Sequence, residues 1–453
     1  MRLRLISYWK LHKIPLLMVL ASILFYATFA YDLQRTDFIK LFALFASLFF
    51  LCYKLIQFEK WNFKFLLLAG ILFRLTFLFA EPNLSQDFYR FIWDGELVRH
   101  GINPYLYLPN ILIEQKDLVI PNAHELYQGM GSLSAKHFSN YPPFNQVIFA
   151  IAAILSGKTI MGAGIVMRLT IMLADIGIFY FGRKLLQNLN RSPHLIFWYF
   201  LNPLIVIELT GNLHFEGVML FFFVWSLYLL SKKRLGWAAV VYALSISVKL
   251  VPLLFLPLFL KHFNLKKSML FYSIVGVTIL LLLLPFLSTE FIDNYSETIG
   301  LWFSNFEFNA GLYNLIKEIT VHFDAKPWEL IKTYGKITPF ITIGVVALFT
   351  LLRKNQNLSV LITSMLWILA IYYLISATVH PWYIVFLVLL TVFTDFRFSL
   401  VWSFTVILSY CAYTNSDYKE NLMVLAIEYI LVYGFLLYEI FRLKGQKVLF
   451  RKN

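Results

Sequence analysis

Charge is scarce in this chain. Asp, Glu, Lys and Arg make up 14% of its 453 residues, while 60% are hydrophobic. Soluble globular domains carry about 25% charged and about 45–50% apolar residues, so the scarcity excludes an ordinary soluble domain. Acidic residues are the rarer sign, 25 against 39 Lys and Arg, yet the surplus does not argue for nucleic acid. The basic residues sit in short clusters between apolar runs, the pattern left by the positive-inside rule. Cysteine is nearly absent. Cys52 and Cys411 both lie inside apolar runs and suggest neither a disulfide framework nor a metal centre. No internal repeat is visible, which weakens the case for a secondary transporter with duplicated halves. Neither a low-complexity linker nor an appended soluble domain is expected.

Apolar runs are what the chain has in quantity. Stretches near the roughly 20 residues needed to cross a bilayer recur throughout, rich in Leu, Ile, Phe and Val. They lack the two-residue alternation of a transmembrane barrel. The expected fold is therefore an all-α polytopic membrane protein, one integral domain over residues 1–453. The N-terminal MRLRLISYWKLHK and the apolar run to Ala30 resemble a signal peptide. The run exceeds the usual h-region of about 7–15 residues, so an uncleaved first helix is expected. Spans are read at 14–31, 38–56, 63–80, 163–184, 194–210, 215–231, 235–248, 251–262, 268–287, 337–352, 359–376, 381–394, 397–413 and 422–442. That makes about fourteen transmembrane helices.

Basic clusters set the orientation. The N-terminus, Lys60 and Lys64, Lys232 to Arg234, Lys261 with Lys266 and Lys267, and the tail FRLKGQKVLFRKN fall between or beyond spans. Placing them on the cytoplasmic side puts both termini there. Residues 81–162 and 288–336 then form two large extracytoplasmic loops. The apolar piece 144–156, after Tyr141-Pro142-Pro143, would carry Arg183, Lys184 and Arg191 outside if it crossed. It reads instead as a juxtamembrane or re-entrant helix. Loops this long are usually functional.

The stretch Ser85 to Tyr105, SQDFYRFIWDGELVRHGINPY, gathers carboxylates and aromatics beside the bilayer. Ser85 suits an N-cap, which sets Asp87 in the first turn of a helix reaching to about His100. Asp87 and Asp94 share a face, roughly 10 Å apart along the axis. One can act as general base while the other orients a hydroxyl or a cation. Two carboxylates also leave room for a divalent metal, although no obligatory cofactor is implied. The plain alternative is an interfacial helix with a wet, charged face, Arg90 and Asp94 forming an i,i+4 pair and Glu96 a surface charge. Gly101 reads as a helix stop, with Pro104 just beyond.

Elsewhere, Lys249 interrupts an apolar stretch, where an ionisable residue is by default a functional candidate. It either meets a lipid phosphate or snorkels to the headgroups. His214 and Glu216 lie in a short loop on the same face, and His380 and Tyr383 open a span beside Trp382. These could contact a ligand; a wet loop and an aromatic belt are the plain readings. Arg168 and Asp175 share a face of one span and are expected to pair. Glu208 lies near the outer end of a span, and the aromatics of 301–313 could stack on sugar. Glu428 has no reading.

The pattern D-x-x-R-x-x-W-D-G at 87–95 followed by G-x-N-P-Y at 101–105, after a group of spans, resembles the first outer loop of the GT-C glycosyltransferases. It is most similar to bacterial polyprenyl-phosphate-mannose-dependent mannosyltransferases. Tyr141-Pro-Pro-Phe-Asn-Gln146, Asn202-Pro203, Gly211-Asn212-x-His214-x-Glu216, Lys249-x-x-Pro252 and His380-Pro-Trp-Tyr383 resemble further elements of such proteins. The resemblance implies a polyprenyl-phosphate-linked hexose donor, a glycan or lipid acceptor, inverting transfer on the extracytoplasmic side of a bacterial inner membrane, and a loop-one aspartate as base. Asp87 or Asp94 would be that base. Lys249, His380, Arg90, His214, Glu216 and Tyr383 would contact donor phosphate or sugar. Two competing functions are a lipid-linked sugar flippase or other transporter, and an inactive assembly subunit.

Overall fold

The computed structural model describes the backbone of residues 2–304, 306–415 and 417–449, and the side chains of these except 2–10, 302–304 and 444–449. The basic side chains at the extreme N-terminus and in most of the tail, together with Trp302 and Phe303, lie outside the described residues.

The chain is helical throughout. Its helices are α1 (Arg2–Tyr31), α2 (Phe38–Phe58), α3 (Phe63–Leu75), α4 (Asp87–Arg99), α5 (Pro109–Leu112), α6 (Ala123–Ala135), α7 (Pro143–Leu155) and α8 (Ile160–Asn188). They continue with α9 (Phe197–Phe200), α10 (Pro203–Ile205), α11 (Glu216–Ser231), α12 (Leu235–Val248), α13 (Phe259–His262), α14 (Leu265–Leu283), α15 (Thr289–Ser304) and α16 (Gly311–His322). The last are α17 (Pro327–Leu352), α18 (Leu358–Ile375), α19 (Ile384–Val392), α20 (Phe398–Thr405) and α21 (Leu422–Leu449). Among the described residues extended pairing is confined to one bridge, Phe308 with Thr378.

By length and composition seven described helices can cross a membrane, or eight if the bent pair Pro193–Phe200 and Pro203–Gly211 (54°) is one span. The sequence suggests about fourteen, and the difference lies in short helices. Apolar helices of 10–17 residues stand at the expected spans 215–231, 235–248, 251–262, 381–394 and 397–413. The expected span 63–80 is regular only over the 13 residues of α3. Proline accounts for the bent pair and for the break between the expected spans 235–248 and 251–262. Proline removes a donor and clashes with the preceding turn, and the chain breaks at Asn202-Pro203 and again around Lys249 and Pro252. Such breaks at membrane depth are tolerated where protein surrounds them, and residues 196–220 are buried almost without exception. The stretch expected as a second loop, 288–336, is helical for most of its length. It carries α15 and α16, and α17 begins at Pro327.

Loop one folds as a helical layer on α8, α11 and α12. The piece 143–155 is a helix, with Pro143 at its first position, where the missing N–H costs nothing. It lies against α4 so closely that a Cβ on Gly95 would stand 2.3 Å from the Phe149 carbonyl oxygen. Only glycine permits that approach. The Phe91 and Phe149 rings stack beside it at 4.7 Å. Past α4, Gly101 takes φ +74° as the expected stop, with the Ile102 N–H returning to the Leu97 carbonyl. Asn103 then donates to the Phe286 carbonyl, and Tyr105 packs on Phe286, Phe291 and Tyr295. The G-x-N-P-Y turn is thus a dock for the segment that carries α15.

The intramembrane charges pair differently from expectation. Asp175 is bound by Arg74 of α3, with Nε 2.8 Å from its Oδ2, and accepts from the Tyr199 hydroxyl. Arg168 instead donates to the Thr210, Gly211 and Leu78 carbonyls. The reason is the end of the helical run 206–211. Its last carbonyls have no helical partner, and Arg168 supplies donors to them.

Candidate active site

At the start of α4 the Ser85 hydroxyl accepts the Asp87 N–H at 3.3 Å. Gln86, not Ser85, holds the N-cap position. Asp87 stands in the first turn, half-buried, and its carboxylate makes no hydrogen bond or ion pair with another described residue. The approach to it is fixed from two sides. The Leu84 N–H donates to Asn212 Oδ1 at 3.2 Å, and Arg35, stacked on Tyr413 at 4.1 Å, donates to the Leu84 carbonyl.

Asp94 is placed otherwise. It is fully buried, bound by Arg90 Nε at 2.7 Å, and accepts from Ser139 and Gln146. Arg90 also donates to the Ser134 and His137 carbonyls. These two residues, expected as a second catalytic carboxylate and a phosphate contact, sit in a buried network that ties α4 to α6 and α7 and leaves Arg90 Nη2 and Gln146 Oε1 unpartnered. Nor is Glu96 a surface charge. It is 2% exposed beside Arg99 and His100, and burial raises its pKa against the pull of the Arg99 guanidinium.

Opposite lies a second set. Residues Val206–Gly211 form a wide π-helical turn, followed by Leu213 in the left-handed region at φ +61°. Such turns cluster at functional sites. Here the turn aims Glu208 inward, where its carboxylate accepts from Asn212 and Tyr410 and sits 3.3 Å from His214 Nδ1. His214 Nδ1 is also 3.0 Å from the Glu208 carbonyl oxygen. Its other nitrogen, Nε2, is buried without a partner. Glu216, in the first turn of α11, forms an ion pair with Lys249, and its Oε2 is likewise buried and unpartnered. Lys249 stands where α12 ends, in extended backbone. The preceding carbonyl, Val248, is held by Asn145 of α7 at 2.9 Å.

The third contribution comes from residues 376–383. Trp382 is sandwiched between His214 (ring centroids 4.0 Å apart) and His380 (4.3 Å). The far face of His380 is covered by Phe308 at 4.9 Å. His380 Nδ1 is buried and unpartnered. Burial first, then His214 and Lys249 nearby, push the imidazole pKa down to about 3, so it is neutral at physiological pH. Tyr383 stacks on Tyr373 and lies close enough to Glu216 and Asp87 for their charges to act on its hydroxyl. Tyr141 is similarly close to Asp87, Asp94 and Glu216, and burial holds its hydroxyl well above the ordinary tyrosine range. His214, Glu216, Lys249, His380 and Tyr383 are therefore grouped, and Asp87 lies within electrostatic reach of Tyr383 and Tyr141. Together they offer a free carboxylate, a cation and three unpartnered polar atoms near an aromatic ring.

The model of the alpha-(1->6)-mannopyranosyltransferase N-terminal domain, the MptA_B family, matches residues 27–263, more than half of this chain. The chain belongs to that family. A second model, described as ALG3 protein, matches residues 212–315. Among individual proteins, the chain is 22% identical over 191 residues to an alpha-(1->6)-mannopyranosyltransferase A of Corynebacterium glutamicum, covering 40% of this chain and 35% of that protein. It is 22% identical over 143 residues to the protein of the same name from Mycobacterium tuberculosis, covering 31% and 26%. The matched stretches thus span about a third and about a quarter of those two relatives.

The MptA_B match takes in Asp87, Asp94, His214, Glu216 and Lys249, whereas His380, Trp382 and Tyr383 lie beyond its end. Among the described residues no three His, Cys, Asp or Glu side chains are grouped to hold a metal ion. Sequence reasoning missed Arg35 and the specific part of Phe308. Arg35 stands in a short polar turn like many others, and Phe308 was one aromatic among several in 301–313. Neither carried a signal of its own.

Proposed function

We propose that this MptA_B-family member is a mannosyl-transferring glycosyltransferase that uses a polyprenyl-phosphate-linked donor. The observation carrying the reading is the grouping of unpartnered Glu216 Oε2, His214 Nε2 and His380 Nδ1 near Trp382 and Lys249, with an unengaged Asp87 within electrostatic reach of Tyr383. Buried polar atoms without partners are costly, and a sugar's hydroxyls would supply those partners. Trp382 would present its edge to the pyranose.

Asp87 takes the proton from an acceptor hydroxyl, whose oxygen attacks the anomeric carbon from the side opposite the phosphate. The bond from that carbon to the phosphate oxygen breaks, the configuration inverts, and polyprenyl phosphate leaves. Lys249 meets the charge that develops on the leaving oxygen. Asp94 and Arg90 act at one remove, holding α4 so that Asp87 keeps its aim. The acceptor is a glycan or glycolipid reached from the extracytoplasmic side of a bacterial inner membrane, with both termini cytoplasmic and the short helices completing about fourteen crossings.

The test uses purified protein in lipid with synthetic polyprenyl-phosphate-mannose and a panel of mannosylated acceptors. A new glycosidic product, lost in Asp87→Asn, is expected. Movement of intact donor across the bilayer with no product would overturn the enzyme reading in favour of a flippase.

A further inference from the structure

The segment between α15 and α16 meets the site at Phe306, whose carbonyl accepts from the Thr378 hydroxyl, and at Phe308. The Phe308 N–H donates to the Ala377 carbonyl at 3.0 Å and the Val379 N–H donates to the Phe308 carbonyl at 2.8 Å. This bridge sets the Phe308 ring on the face of His380, parallel to within 26°, with Trp382 on the opposite face at 4°. The next residue, Asn309, is fully buried and left-handed at φ +49°. It is gripped on every polar group but one. Its N–H donates to Glu420, its Nδ2 to Glu428 at 3.1 Å, and its carbonyl accepts from the Tyr429 hydroxyl at 2.6 Å. Glu428 also accepts from Trp402 at 2.9 Å, and Glu420 from Asn314 at 3.0 Å. Glu428, for which the sequence offered no reading, is thus the buried end of a latch whose other end is Phe308.

We infer that Phe308 is a positioning residue of the transfer site, held by the Asn309 latch so that it seals one face of His380 and fixes the imidazole against Trp382. The inference rests on the reading that places His380 at that site. A side chain held on both faces loses its rotational freedom before substrate arrives, which is the arrangement that keeps a contact in productive geometry. Covering that face withdraws part of the imidazole from water, which favours its neutral form. The titratable and charged groups around it are His214, Lys249 with its partner Glu216, and Tyr383. Protonation would set a second cation beside Lys249, so the neutral imidazole is the working form.

Three variants in the full-length protein test this: Phe308→Ala, Phe308→Tyr and His380→Gln. Transfer is measured against pH. Reaction of His380 with diethyl pyrocarbonate, which acylates unprotonated imidazole, is followed by peptide mass spectrometry. Phe308→Ala is expected to lower kcat by up to about 100-fold, as for a displacement of roughly 1 Å at a reacting group. It is also expected to open an acid limb near the ordinary histidine pKa of about 6.5. At alkaline pH its His380 should acylate roughly tenfold faster than in the parent, as a locally opened site does. Phe308→Tyr should restore both readouts, which a general loss of packing would not allow. The acylation measurement does not depend on activity, so it decides the matter even if Phe308→Ala transfers nothing. Parent-like acylation and an unchanged pH profile in Phe308→Ala, alongside an inactive His380→Gln, would overturn the inference and leave the site intact. Parent-like transfer by His380→Gln would remove His380 from the site and the inference with it.

Discussion

Asp94 follows Asp87 by seven positions of helix, and that interval takes the carboxylate from a half-open first turn into a buried network. The chemistry divides accordingly. Asp87→Asn should lower transfer by about 100- to 10,000-fold, the range for removing a general base, with an unchanged thermal midpoint. Asp94→Asn should instead destabilise loop one, since removing one partner of a buried pair costs about 3–5 kcal/mol; thermal unfolding in detergent separates the two cases. Lys249→Met alone leaves Glu216 buried and unpaired. The double variant Lys249→Met/Glu216→Gln should therefore fold better than the single one and still fail to transfer. Glu96 provides a pH test. Its folded pKa is raised by burial above the ordinary 4.5. Its protonated form is thus the one the fold favours, and its contribution is lost as pH rises through that raised value. Glu96→Gln should match the parent at low pH and exceed it in thermal midpoint at neutral pH. Charged residues were easy to single out in the sequence because there are so few of them. Which of them stay free was not legible, because engagement depends on Ser139, Gln146 and the Ser134 and His137 carbonyls, 40 and more residues downstream.

At the scale of elements, the breaks matter more than the helices. The stop at Gly101, the helix after Pro142-Pro143 and the interruption at Lys249 were all readable from local backbone chemistry. What α7 does was not readable. An apolar segment after two prolines gives no hint that Asn145 reaches the Val248 carbonyl beside Lys249, or that Gly95 admits the Phe149 backbone. Gly95→Ala should push α4 from α7 at a cost of about 1–3 kcal/mol, the usual range for overpacking. Because that displacement moves Asp87 relative to Lys249, kcat should fall as well, even though neither residue is altered. A thermal melt and an assay at saturating donor check both halves of this expectation.

Across the whole molecule, sequence periodicity and basic clusters indicate a polytopic helical protein, while long-range pairing stays hidden. Asp175 was assigned the nearest arginine on its own helix, but Arg74, 101 residues earlier, holds it. Helical spacing says which residues share a face and nothing about which helix that face meets. Arg74→Met should cost about 3–5 kcal/mol, whereas pairing it with Asp175→Leu should recover much of the loss, as replacing a buried ion pair by apolar residues often does. Double-mutant thermal denaturation measures this coupling. The stack of Phe308, His380, Trp382 and His214 spans the same kind of distance. One of its rings precedes Lys249 and three follow it, and its latch closes only with Glu420 and Glu428. During biosynthesis, then, a chain that has emerged as far as residue 263 carries Asp87 and the ammonium but no closed site. On the proposed function, the nascent protein would be inert toward its donor until α21, which carries Glu428, is in place.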